Sequence, residues 1–207
     1  MRFFVVHLKH RLEMKGRTVV MMGRNHLICN ASAAGLMLAA DDIANRLVFQ
    51  SKGMETPLRI AMGSPEESVF YWILSGCLFL IGSVLPDIDS ANSLAGKFFH
   101  LPIRLRGITH TIWVVAVLIL ASFAFKPMVW MTLGYVLHLL LDSVSAMGLL
   151  WTYPIRKYRE YGSGARVAPG HRVKLYHTGE KSETVFAVVF TSICLCGIAG
   201  WAYFRLL

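Results

Sequence analysis

Charge is what this chain has least of. Only 16% of its 207 residues are Asp, Glu, Lys or Arg, against roughly 25% in soluble domains. With 55% hydrophobic residues, that deficit excludes an ordinary soluble domain and points to a lipid-facing protein. Acids are the scarcer sign: 12 Asp and Glu face 21 Lys and Arg, for a formal net charge of +9. No helix-turn-helix or aromatic-interleaved basic groove accompanies the excess, so direct nucleic acid binding is not expected. The bases lie between apolar blocks instead, where they suit juxtamembrane loops touching anionic membrane lipids. Cysteine is rare too. Cys29, Cys77, Cys194 and Cys196 each sit in an apolar stretch without zinc-finger spacing, which excludes a disulfide framework and a cysteine zinc site. Repeats, low-complexity tracts and a secretory signal pattern are also missing. Residues 1–25 form a basic extension with a short apolar start at Phe3–Val6. Met21 and Met22 offer a second start, which would make the first twenty residues an upstream extension.

Long hydrophobic runs are plentiful. A bilayer core takes about 17–25 apolar residues as a helix. Val69–Leu85, Ile108–Phe125, Met128–Trp151 and Val185–Leu207 meet or approach that length. Lys126-Pro127 alone separates the second from the third, predicting a tight helical hairpin. Leu27–Ala40 is a shorter segment, expected to end at Asp41-Asp42. If it crosses, residues 1–26, 86–107 and 152–184 share a side and carry 16 Lys and Arg, leaving five opposite: Arg46, Lys52, Arg59, Lys126 and Arg205. The positive-inside rule then favours five spans over four, with a cytoplasmic N-terminus. The expected fold is an all-α, polytopic membrane helical bundle of four to five spans, occupying residues 26–207. Ser64-Pro65-Glu66-Glu67 reads as a helix start, and residues 155–184 as a basic loop or short hairpin.

Ionisable groups at membrane depth are costly and mark function by default. Here they are His and Asp at helix ends. Pro86-Asp87-Ile88-Asp89 follows the second segment, and its two carboxylates can converge on a cation in a turning backbone. Arg106-Gly107-Ile108-Thr109-His110 opens the next, with Gly107 free for an unusual backbone angle, Thr109 able to cap and His110 in the first helical turn. His138 and Asp142 stand four apart inside an apolar run, hence on one helix face. Such a pair is expensive to bury for packing alone. Gly134, Ser143 and Ser145 would let neighbouring helices approach. His26 begins the first segment and Glu183 the last. In the five-span arrangement all these groups reach the cytoplasmic face, while the other face holds acids but no histidine. A shared divalent metal site follows, with His26, Asp87, Asp89, His110, His138, Asp142 and Glu183 as candidate ligands. Zinc suits the mixed imidazole and carboxylate set best, with manganese or iron also compatible.

The ordered set resembles the YdjM-like family of membrane-bound, metal-dependent hydrolases, LexA-regulated in its best-known member. The shared pattern is an early His (His26), Leu85-Pro86-Asp87-Ile88-Asp89, Arg106-Gly107-Ile108-Thr109-His110, His138-x-x-x-Asp142, Gly148, Trp151 with Pro154, and a late Glu (Glu183). It spans about 160 residues. Two departures stand out: Leu105 occupies a place usually held by His, and Thr152-Tyr153 intervenes between Trp151 and Pro154. The His-x-x-x-Asp element is also similar to zinc-dependent phospholipase C and related single-strand nucleases.

The resemblance implies metal-assisted hydrolysis at a bacterial inner membrane. Asp89 or Glu183 is the candidate general base, and Arg106, with Arg104 nearby, the candidate phosphate fork. The implied substrate is a phosphoester or other ester of a lipid or lipid-linked molecule. The alternative is a catalytically idle scaffold holding a cytosolic, LexA-like regulator on the basic loop 152–184. An ion transporter would need ligands open to both faces, which the one-sided distribution disfavours.

Overall fold

The computed structural model describes residues 24–62, 68–90, 93, 95–97, 106–157, 159–160, 166–169 and 173–206. Most of the basic extension with its second start, the helix start at 64–67, and Arg104 and Leu105 lie outside them.

Helix α1 runs from Arg24 to Phe49. Asp41-Asp42 does not end it, contrary to the sequence expectation, because Asp42 is paired. Its carboxylate accepts from Arg46 Nε one turn on (3.0 Å) and from Trp201 Nε1 (3.0 Å), and lies 3.5 Å from Arg59. The last turn of α1, Asn45–Phe49, is wound as π-helix, followed by a 3-10 turn, Gln50–Lys52. Gly53, at φ +64°, stops it in the left-handed region that glycine tolerates. Short α2 (Pro57–Met62) starts on a proline, and Thr56 Oγ1 accepts the Arg59 amide while donating to Asp41 (2.5 Å). Helix α3 (Val69–Val84) is capped by Ser68, whose hydroxyl accepts from the Tyr71 amide. It passes into a 3-10 turn over Leu85–Asp89.

Helices α4 (Ile112–Ala124) and α5 (Met128–Val144) form the hairpin predicted around Lys126-Pro127. Both are shorter than their apolar runs. A 3-10 turn, Ile108–His110, and the extended residue Thr111 precede α4, so His110 stands ahead of the helix rather than in its first turn. Strands β1 (Arg159–Glu160) and β2 (Arg166–Val167) pair as an antiparallel hairpin in the basic loop. Helix α6 spans Lys181–Leu206.

Among the described residues, three stretches are long and apolar enough to cross a membrane: Arg24–Phe49, Val69–Asp89 and Lys181–Leu206. Helices α1 and α6 run alongside each other. Asn25 bonds Glu183 at one end, and Asp42 meets Trp201 and Arg205 at the other. The outer surface is apolar, with Leu120, Phe123, Val188 and Ile193 all more than 45% exposed. The interior mixes apolar side chains such as Phe79, Val115 and Leu139 with buried His, Asp, Asn and Ser, a distribution that suits lipid in place of water outside.

Helices α3 and α5 cross at two glycines. A Cβ on Gly134 would strike the Phe79 carbonyl, and one on Gly82 the Met131 carbonyl. Backbone atoms cannot yield as a flexible side chain does. Gly134→Ala is therefore expected to destabilise the protein by about 1–3 kcal/mol, lowering the unfolding temperature in detergent. Gly76→Ala, where a Cβ meets nothing within 4 Å, should be neutral or slightly stabilising through helix propensity. Equal effects at the two positions would refute the close-crossing account.

Candidate metal centre

Helix α5 supplies the floor of the site. Its four-residue spacing puts His138 and Asp142 on one face, toward the 3-10 turn that ends α3. His138 is fully buried. Its Nδ1 lies 2.8 Å from the Ser83 carbonyl, which can only accept, so the proton sits on Nδ1 and Nε2 keeps its lone pair. That nitrogen stands 3.6 Å from Asp87 Oδ1 and 3.8 Å from Asp142 Oδ2.

His110 comes from the turn before α4. Its Nδ1 lies 3.4 Å from Asp89 Oδ2, and its Nε2 3.2 Å from Asp142 Oδ2. Thr109 bridges this pair rather than capping α4. Its hydroxyl donates to Asp89 Oδ2 at 2.9 Å and lies 3.1 Å from His110 Nδ1. Tyr135 donates to the Thr109 carbonyl. Burial alone would lower the His110 pKa, but the Asp142 and Asp89 carboxylates beside it outweigh burial and raise it to about 9. His26 enters from α1, its ring centroid 4.7 Å from that of His138 and its Nε2 3.8 Å from Asp142 Oδ1.

Two donor triads result, His26–His138–Asp142 and Asp87–His110–His138, each with one ligand atom per residue within 4.8 Å of the others. They share His138, so five residues form one cluster. The chemistry of this set fits a divalent ion. Five ligand-type atoms, His26 Nδ1, His110 Nε2, His138 Nε2, Asp89 Oδ1 and Asp142 Oδ2, are buried without a hydrogen-bond partner among the described residues. Leaving so many buried polar atoms unsatisfied is costly, and a cation satisfies imidazole and carboxylate lone pairs together. Ser83 and Asp89 act as outer partners that fix the two imidazoles, the arrangement metal-ligating histidines require.

Three predicted site residues are placed differently. Asp89, expected as a ligand, is in neither triad and stands behind His110. Glu183 stands beside His26 but in neither triad. Its Oε1 accepts from Asn25 Nδ2 (3.1 Å) and its Oε2 from the Gly179 amide (2.7 Å), so both oxygens are engaged at the start of α6. Arg106, expected to offer its fork to a phosphate, is buried and turned inward. It donates to Asp142 Oδ1 (2.5 Å), Ser145 Oγ (2.9 Å) and the Gly148 carbonyl (3.3 Å). Its φ of +51° is unusual for a residue with a side chain. Ser145 thus serves Arg106 rather than a helix crossing.

Tyr176 was not anticipated at all. It reaches the centre from the basic loop, donating to the Leu141 carbonyl (2.9 Å) and lying 3.5 Å from His26 Nε2. Burial, with Asp142 nearby, raises its pKa. No local pattern marks that tyrosine. Asn30 is fully buried one helical turn below His26, its amide without a hydrogen-bond partner among the described residues. Its spacing from His26 was the available signal.

No curated protein and no solved structure matches the chain. A family model described as YdjM inner membrane protein matches residues 21–205. With nearly its whole length matched, the chain belongs to the YdjM inner membrane protein family.

Proposed function

We propose that this protein is a membrane-bound, metal-dependent hydrolase acting on a phosphoester of a lipid or lipid-linked substrate. The observation that carries this reading is the convergence of unpartnered imidazole and carboxylate atoms at one end of the bundle. The mixed set suits zinc first and manganese or iron next. A divalent ion held there supplies Lewis acidity toward a phosphoryl oxygen and acidifies water. His26, Asp87, His110, His138 and Asp142 are its holders. Asp89 Oδ2 is held by Thr109 while Oδ1 is without a partner, so Asp89 is better placed than Glu183 to accept a proton. Arg106 neutralises part of the Asp142 charge and fixes its direction. Five spans, a cytoplasmic N-terminus and a cytoplasmic site follow from the uneven loop charges.

The test uses full-length protein in liposomes, loaded with zinc or manganese and offered phospholipid and polyprenyl phosphate esters. Product is read by phosphorus NMR. Turnover is expected for one ester class, falling about 10²–10⁴-fold in Asp89→Asn while bound metal is retained. Loaded, folded protein that cleaves none of them would move the reading to a scaffold binding a regulator through loop 152–184.

A further inference from the structure

The end of the bundle opposite the metal centre carries a second concentration of charge. Asp42 lies sixteen residues beyond His26 on α1, roughly 24 Å along the axis at 1.5 Å per residue. Three arginines from three helices share its carboxylate: Arg46 of α1, Arg59 of α2 and Arg205 of α6. Trp201 donates to it as well, and the Arg205 guanidinium lies 5.6 Å from the centre of the Trp201 ring. One negative charge thus faces three positive ones. Each guanidinium carries five N–H donors, and Asp42 takes only one nitrogen from each.

Beside this clamp lies a cavity of about 470 Å³, with Asp42, Asn45, Arg46, Glu55 and Arg59 in its walls. That volume falls within the usual range for small-ligand sites. Asn45 is the second, independent observation. It is 93% buried, and its Oδ1 has no hydrogen-bond partner among the described residues. It also begins the π-helical turn Asn45–Phe49, and π-helical turns recur at functional sites. A pure clamp between helices explains Asp42 and Arg205. It accounts for neither the surplus donors of Arg46 and Arg59 nor a buried amide in a cavity wall.

We propose that this cavity binds a phosphodiester headgroup bearing a hydroxyl, its phosphate held by Arg46 and Arg59 and its hydroxyl by Asn45. The forked donors of arginine match phosphate oxygens. The Asn45 carbonyl oxygen accepts from a hydroxyl. Asp42 and exposed Glu55 both line the cavity. Asp42 is neutralised by its arginines and the Trp201 bond, which leaves Glu55, unpaired among the described residues, as the acid that opposes an anion. The site is independent of the metal chemistry proposed above.

The experiment follows the unfolding temperature of full-length protein in neutral detergent while dihexanoyl phosphatidylglycerol is added. Dihexanoyl phosphatidylcholine and inorganic phosphate serve as parallel probes. The glycerol lipid is expected to raise the temperature and the choline lipid to have little effect. Joint Arg46→Gln and Arg59→Gln should weaken apparent affinity at least tenfold. Because those arginines also brace Asp42, Glu55→Gln provides a test that leaves the clamp intact, and it should tighten binding about threefold. His138→Ala should leave the response unchanged, separating this site from the metal centre. Equal protection by inorganic phosphate would make free phosphate the ligand of the same site. Identical responses in wild type, the arginine pair variant and Glu55→Gln, or no response in any of them, would overturn the proposal.

Discussion

Protein purified without chelator is expected to carry a stoichiometric divalent ion, and His138→Ala combined with Asp142→Ala to abolish its binding. His138 belongs to both donor triads and Asp142 to one. Loss of outer partners alone costs about 10–100-fold in metal affinity, so loss of two direct donors should exceed that. Elemental analysis of both proteins checks it. The pH dependence has a defined sign. In metal-free protein the His110 pKa is raised to about 9, so at neutral pH this imidazole holds a proton that an ion must displace. Loading should strengthen as pH rises toward 9, about tenfold per unit for one displaced proton. The same shift stabilises the metal-free fold fully below about pH 6.5, and that contribution is lost as pH rises through 9. Folded wild type without metal across this range would remove the basis of the hydrolase reading.

Arg106→Met should produce the largest loss of stability outside the donor cluster. The Arg106–Asp142 pair is buried on both sides, with side chains 7% and 2% exposed. Removing one partner of such a pair costs about 3–5 kcal/mol, because the other charge is left uncompensated. A bound cation would supply part of the missing positive charge. The unfolding temperature should therefore fall steeply in metal-free protein and recover partly with zinc. Arg106→Lys should rescue poorly, since one ammonium cannot reach Asp142, Ser145 and the Gly148 carbonyl together. A loss of equal size with and without zinc would separate Arg106 from the centre's electrostatics.

Much of the centre was legible because its signals are local. His138 and Asp142 stand out in an apolar run, and Lys126-Pro127 marks a hairpin whatever surrounds it. The misreadings share a cause, which is partners distant in sequence. Asp41-Asp42 reads as a helix end only while Arg59, Trp201 and Arg205 are out of view, the last 163 residues away. Arg106 reads as a substrate fork until Asp142, 36 residues on, is brought beneath it. The helix signal at Ile108–His110 is overridden by Thr109 and His110 turning toward Asp89. Glu183 is at the right end of the bundle, but Asn25 and the Gly179 amide claim its oxygens.

The unequal helix lengths carry a consequence for the surrounding lipid. Helices α1 and α6, at 26 residues each, rise about 39 Å, while the 13 residues of α4 and 17 of α5 rise only about 20 and 26 Å. If the hairpin crosses as proposed, a hydrocarbon core of about 30 Å matches neither pair, and local thinning beside the short hairpin is one way to relieve the mismatch. His110 and Asp142 stand at one end of that hairpin. In the proposed five-span arrangement, thinning there would draw the headgroup layer inward toward the donor cluster, shortening the distance the proposed lipid phosphate must be lifted from its own leaflet.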